Sequence, residues 1–166
     1  MHVLAVCGVK NSGKTTLLTK ITAQLTKEGI KIAVIKHDCH SFQADRPGTD
    51  SFRHKEAGAF GTAVFCSGRF SIVKDTEKPV TETELFSFFP EADLILLEGF
   101  KHTGWPKLEV VRKGNSEEPV SDPATLLALV TDLPLEVPDV PVLPLDQPHE
   151  AARFLLRLVK ESGGHA

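Results

Sequence analysis

Residues 8–15 read Gly8-Val9-Lys10-Asn11-Ser12-Gly13-Lys14-Thr15 and satisfy the spacing G-x-x-x-x-G-K-[ST]. The spacing has a chemical reason. Two glycines let the backbone turn tightly and approach an anion with no Cβ in the way. Successive N–H groups then point inward as a nest, and the helix that follows adds its N-terminal partial charge. Lys14 reaches the terminal phosphates and the Thr15 hydroxyl coordinates Mg²⁺. Gly8, Lys10, Asn11, Ser12, Gly13, Lys14, Thr15 and Thr16 are therefore the candidate nucleotide-phosphate residues, with Lys14 also a candidate catalytic cation.

The flanks supply the context that this motif requires. Residues 2–9 are an apolar, β-branched run of the kind that forms a buried strand. From Lys14 to Glu28, Leu17, Leu18, Ile21 and Leu25 share one helical stripe, and Gly29 sits where a C-cap glycine belongs. Ile30 to Ile35 predicts a second strand, which completes a right-handed βαβ unit. Further on, strands are expected at Phe60–Cys66 and Phe70–Lys74 around the Ser67-Gly68 turn, and at Asp93–Glu98, Lys107–Arg112 (as an edge strand) and Leu126–Val130. A short strand is expected among Pro134, Pro138, Pro141, Pro144 and Pro148. Helices are expected at Phe52–Gly58, at Thr81–Phe89 behind a Thr81/Glu84 capping box, and at His149–Glu161. The alternation predicts one α/β domain over residues 1–166, a three-layer fold with a mostly parallel sheet flanked by helices, of the P-loop NTPase type.

A phosphate loop needs a second group to hold Mg²⁺ or orient water, usually a carboxylate at the end of a buried strand. The run Asp93-Leu-Ile-Leu-Leu-Glu98-Gly99 provides it. Ligands bind at the carboxyl ends of parallel strands, so Glu98 is the candidate catalytic and Mg²⁺-binding group, and Asp93 caps the far end. Lys36-His37-Asp38-Cys39-His40 also follows a strand. Asp38 is a further candidate Mg²⁺ ligand. His37, Cys39 and His40 have the chemistry of transition-metal ligands, but no second pair stands at ligand spacing. A nucleotide-sensitive switch is the alternative for this segment. No N-K-x-D tetrad is present to read guanine. The nearest equivalent, Leu129-Val130-Thr131-Asp132, puts Asp132 after a late strand, either as a base contact or as an ordinary turn residue before Pro134.

Composition narrows the function classes. The chain has 166 residues and net charge −3, with acids and bases interspersed, so no basic stretch points to nucleic acid. No apolar run is long enough to span a bilayer, and no secretory signal is expected. Cys7, Cys39 and Cys66 form no C-x-x-C pair, which fits reduced thiols in the cytoplasm.

Four segments together are more specific than the loop alone: Gly8–Leu17 (GVKNSGKTTL), Ile35–His40 (IKHDCH), Asp45–Ala59 (DRPGTDSFRHKEAGA) and Asp93–Lys101 (DLILLEGFK), the last continued by Pro106–Val110. In this order the chain resembles the MobB family of molybdopterin-guanine dinucleotide biosynthesis adapter proteins. That family often carries Lys where this chain has Thr49. The resemblance implies a cytoplasmic, homodimeric GTP-binding protein with weak Mg²⁺-dependent GTPase activity. It implies a helper role beside the guanylyltransferase that attaches GMP to molybdopterin. It matches Lys14, Thr15 and Thr16 to the phosphate site, and Glu98 and Gly99 to the acidic element. Two other classes remain open on the residues: a P-loop small-molecule kinase, for which no paired-arginine lid is visible, and a metal-insertion GTPase, for which His37, Cys39 and His40 are the available ligands.

Overall fold

The computed structural model describes residues 1–37 and 43–162. In chain order the elements are β1 (His2–Cys7), α1 (Lys14–Lys27), β2 (Ile32–Lys36), α2 (Asp50–Glu56), β3 (Gly61–Cys66), β4 (Arg69–Lys74), α3 (Glu82–Phe86), β5 (Leu94–Glu98), β6 (Lys107–Val111), β7 (Leu126–Thr131), β8 (Val142–Pro144) and α4 (Pro148–Ser162). They form two compact units, residues 1–37 with 86–166, and residues 38–85.

The larger unit is built on a six-stranded sheet in the order β2-β5-β1-β6-β7-β8, with every pairing parallel. β1 and β5, both interior strands of this sheet, are apolar because both faces are covered. On one face Leu4, Val6, Leu94, Leu96, Leu108, Val110, Ala128 and Val130 meet the stripe of α1 and Ala151, Ala152 and Leu155 of α4. Each large aliphatic side chain buried there contributes roughly 1.5–3 kcal/mol. α1 ends as its sequence dictates: Gly29 takes φ 84, its N–H donates to Thr26 O at 3.1 Å, and the Ile30 N–H donates to Leu25 O at 3.2 Å. The five prolines leave room only for the three-residue β8.

Lys107–Arg112 was expected at an edge. Instead β6 lies between β1 and β7, and all five of its residues are buried. The alternation of polar and apolar residues misleads because its polar members find partners inside. Lys107 Nζ donates to Thr103 O at 2.5 Å and to Lys101 O at 3.4 Å. The Glu109 carboxylate accepts from the N–H groups of Val120 (2.7 Å) and Ser121 (3.0 Å). These bonds pin the connections on either side of β6, Gly99–Pro106 and the loop that begins at Arg112.

The smaller unit holds α2 and the antiparallel hairpin of β3 and β4, in which Phe65 pairs with Phe70 and Ala63 with Ile72. Thr49 caps α2, accepting from the Phe52 N–H at 3.4 Å. Lys55 donates to the carbonyls of Ala59 (3.0 Å) and Phe60 (3.3 Å) and pairs with Asp75, tying the helix to the hairpin. The predicted capping box forms: Thr81 N–H donates to Glu84 at 2.8 Å, and Glu84 N–H donates to Thr81 Oγ1 at 3.3 Å. The Thr81 bonds hold the Glu84 carboxyl below its usual range.

Candidate nucleotide site

β1 runs straight into the loop of residues 8–13, which opens α1. Three of its residues take left-handed backbone: Gly8 at φ 135, Asn11 at φ 63 and Gly13 at φ 98. Left-handed residues at this spacing give the tight turn from which an anion nest is built. Gly8 is required for packing as well as for its φ, because a Cβ there would overlap the carbonyl oxygen of Val110 on β6. The Ser12 hydroxyl is buried with no hydrogen-bond partner, an orphaned donor in the wall of the nest.

Lys14 follows at the start of α1, and its ammonium curls back to donate to Val9 O at 2.6 Å. Burial lowers its pKa, while the Glu98 carboxylate pulls it the other way. Thr15 Oγ1 donates to Glu98 Oε1 at 2.5 Å. Glu98 ends β5, is 8% exposed, and lies 3.8 Å from the Lys36 ammonium at the end of β2. The parallel register explains the meeting: Val6, Lys36 and Glu98 are at one level, just before the loop. The Thr15 and Glu98 oxygens are hard donors at one point, as Mg²⁺ binding needs. Thr16 is exposed on the first turn of α1.

The other expected residues fall in different places. Asp93 Oδ2 accepts from the Lys31 N–H at 2.8 Å, at the opposite end of the sheet from Glu98, as a cap should. Asp132 directly follows β7 at its carboxyl end, and its Oδ1 accepts from the Lys113 N–H at 2.7 Å. The His37 ring lies tilted against that of Phe100, centroids 5.4 Å apart, and Phe100 has left-handed backbone at φ 54. Asp38, Cys39 and His40 lie outside the described residues. Among the described residues no group of three His, Cys, Asp or Glu side chains is placed to hold a metal. Trp105 is half-buried and packs edge-on against Phe86 at 5.4 Å.

Several contributors carry no motif. Asn115 Nδ2 donates to Lys10 O at 3.0 Å, fastening the phosphate loop from the β6–β7 connection. Cys7, one residue before the loop, meets Ser121 Oγ at 3.1 Å, and burial pushes its thiol up to about 11. A thiol so placed is neutral and packs as an apolar group. These partners are distant in sequence, and only the polar residues inside β6 hinted at them.

The family model for Molybdopterin guanine dinucleotide synthesis protein B matches residues 3–132. The chain belongs to the MobB family. The molybdopterin-guanine dinucleotide biosynthesis adapter protein of Haemophilus influenzae is 36% identical over 155 residues, 92% of this chain and 86% of that protein. The adapter protein of the same description from Escherichia coli is 34% identical, covering 98% of this chain and 95% of its own. The crystal structure of a MobB homolog from Bacillus stearothermophilus superposes with TM-score 0.71 at 27% identity, over 97% of this chain and 99% of that one. The mostly parallel sheet flanked by helices is thus the MobB fold.

Proposed function

We propose that residues 1–166 act as one GTP-binding adapter domain in molybdenum cofactor maturation, assisting the guanylyltransferase that joins GMP to molybdopterin. The observation that carries the nucleotide reading is the meeting of Lys14, Thr15 and Glu98 at the mouth of a loop with an orphaned, buried Ser12 hydroxyl. The pathway rests on family membership and on the printed names of the relatives.

The N–H groups of residues 8–16 bind and orient the phosphate chain, and Lys14 exchanges Val9 O for phosphate oxygen. Thr15 and Glu98 are the residues that would hold Mg²⁺, which supplies charge neutralisation at the terminal phosphates. Lys36, 3.8 Å from the Glu98 carboxylate, adds a positive charge beside the Mg²⁺-binding oxygens. Asp132 is the proposed guanine contact, through whichever lone pairs its bond to Lys113 leaves. Weak hydrolysis follows if no partner supplies an arginine to the terminal phosphate, a group worth roughly 10³–10⁵ in rate. A homodimer is supported by the apolar hairpin of the smaller unit. A cytoplasmic location fits the pathway. No helix among the described residues is long and apolar enough to cross a membrane.

The test is calorimetric titration of the full chain with GTP and with ATP, each with Mg²⁺. Preference for GTP is expected. Preference for ATP would move the assignment to a P-loop kinase, and no binding of either would overturn it.

A further inference from the structure

Arg112 has no assigned role, yet it stands against the phosphate loop. An ideal Cβ on Gly13 would lie 3.4 Å from Arg112 Nη1, so the guanidinium faces the residue that caps α1. A cation there meets the positive end of a helix, an unfavourable pairing unless an anion lies between them. Among the described residues no carboxylate forms an ion pair with it.

The backbone beneath it is fixed. Arg112 O accepts from the N–H groups of Asn115 and Ser116, both at 3.0 Å, and Arg112 N–H donates to Ser116 Oγ at 3.4 Å. Lys113 N–H is held by Asp132 at 2.7 Å, and Asn115 is fastened to Lys10 O at 3.0 Å. These bonds set the backbone from which the Arg112 side chain reaches the loop. The Ser12 hydroxyl, buried and without a hydrogen-bond partner, belongs to the same loop.

The sheet order says which part of the anion. Glu98, on β5, flanks β1 on one side, and Arg112, after β6, flanks it on the other, with Asp132 after β7 beyond that. The Mg²⁺-binding end of a triphosphate therefore lies toward β5, and its nucleoside end toward β7. Resting on the nucleotide reading above, we infer that Arg112 is a second cation of the phosphate site, engaging the α- and β-phosphates that nucleoside di- and triphosphates share. Its planar fork suits two phosphate oxygens at once, which Lys cannot match.

The experiment titrates wild type, Arg112→Ala and Arg112→Lys with GTP, GDP and ATP in Mg²⁺, with thermal denaturation of each. Arg112 is exposed, so the three proteins should melt alike. Arg112→Ala should weaken GTP and GDP by a similar factor, about ten- to a hundred-fold, and Arg112→Lys should recover part of it. Unchanged affinity for both nucleotides overturns the inference. A loss confined to GTP also overturns it, because the guanidinium would then serve the γ-phosphate. Wild type that binds ATP in place of GTP overturns the guanine reading alone, since the Arg112 effect is then read on ATP. Wild type that binds no nucleotide overturns both.

Discussion

At the scale of single residues, the informative event is the convergence of Thr15 and Glu98 from positions 15 and 98 of the chain. The sequence predicted Thr15 as a Mg²⁺ ligand from the phosphate-loop spacing and Glu98 from its place at the carboxyl end of a buried strand. Neither Lys36 nor Arg112 was legible as a partner, since a side chain's neighbour across strands depends on strand order. Glu98→Gln should keep the hydrogen bond from Thr15 but lose the charge. The Mg²⁺ needed for half-maximal GTP binding should rise about 10- to 100-fold, read by titrating Mg²⁺ at fixed GTP. The same change removes the carboxylate that most raises the Lys14 pKa against the lowering effect of burial. Lys14 then loses its proton at a lower pH than in wild type, so the alkaline fall in GTP affinity should begin earlier. Wild-type Mg²⁺ and pH profiles would exclude Glu98 from the site.

At the scale of elements, β1, the phosphate loop and α1 were legible because their signals are local: an apolar run, two glycines and a helical stripe. The Thr81/Glu84 box was legible for the same reason. β6 was misread because an alternating strand signals one wet face, and nothing in its five residues shows that Lys107 and Glu109 reach loop carbonyls and N–H groups. Its central place also depends on the Gly99–Pro106 connection, which returns the chain across β1 without a helix. The contact between β6 and the loop yields a comparison of two glycines. At Gly8 an added Cβ would meet Val110 O, backbone clamped between neighbouring strands, and φ is 135. At Gly13 it would meet only the mobile end of Arg112, at φ 98. Left-handed strain costs about 1–3 kcal/mol at either site. Gly8→Ala adds an overlap that cannot relax, so its Tm should fall by roughly 10 °C, clearly more than for Gly13→Ala. Equal losses in a denaturation scan would show that β6 does not set the shape of the loop.

At the scale of the whole molecule, two compact units differ in how they are stabilised. The larger has a continuous core between its sheet and two helices. The smaller rests on a two-stranded hairpin, an arrangement that is marginal by itself in water. One face of that hairpin carries Ala63, Phe65, Phe70 and Ile72, and Phe65 is 82% exposed. Such a ribbon leaves apolar side chains uncovered and, among the described residues, unpaired strand edges. A second copy of the same ribbon would supply both what the face lacks and a matching edge, so the hairpin is the interface proposed here for the homodimer that the family resemblance implies. Phe65→Asp with Phe70→Asp would place like charges directly opposite each other, and beside those of a partner. By sedimentation equilibrium the wild type should weigh two chains and the double variant one. The sheet of the larger unit is untouched, so its nucleotide affinity per chain should stay within about two-fold of wild type if the site is complete in one copy. A wild-type monomer, or a double variant that still dimerises, would reject the hairpin as the interface.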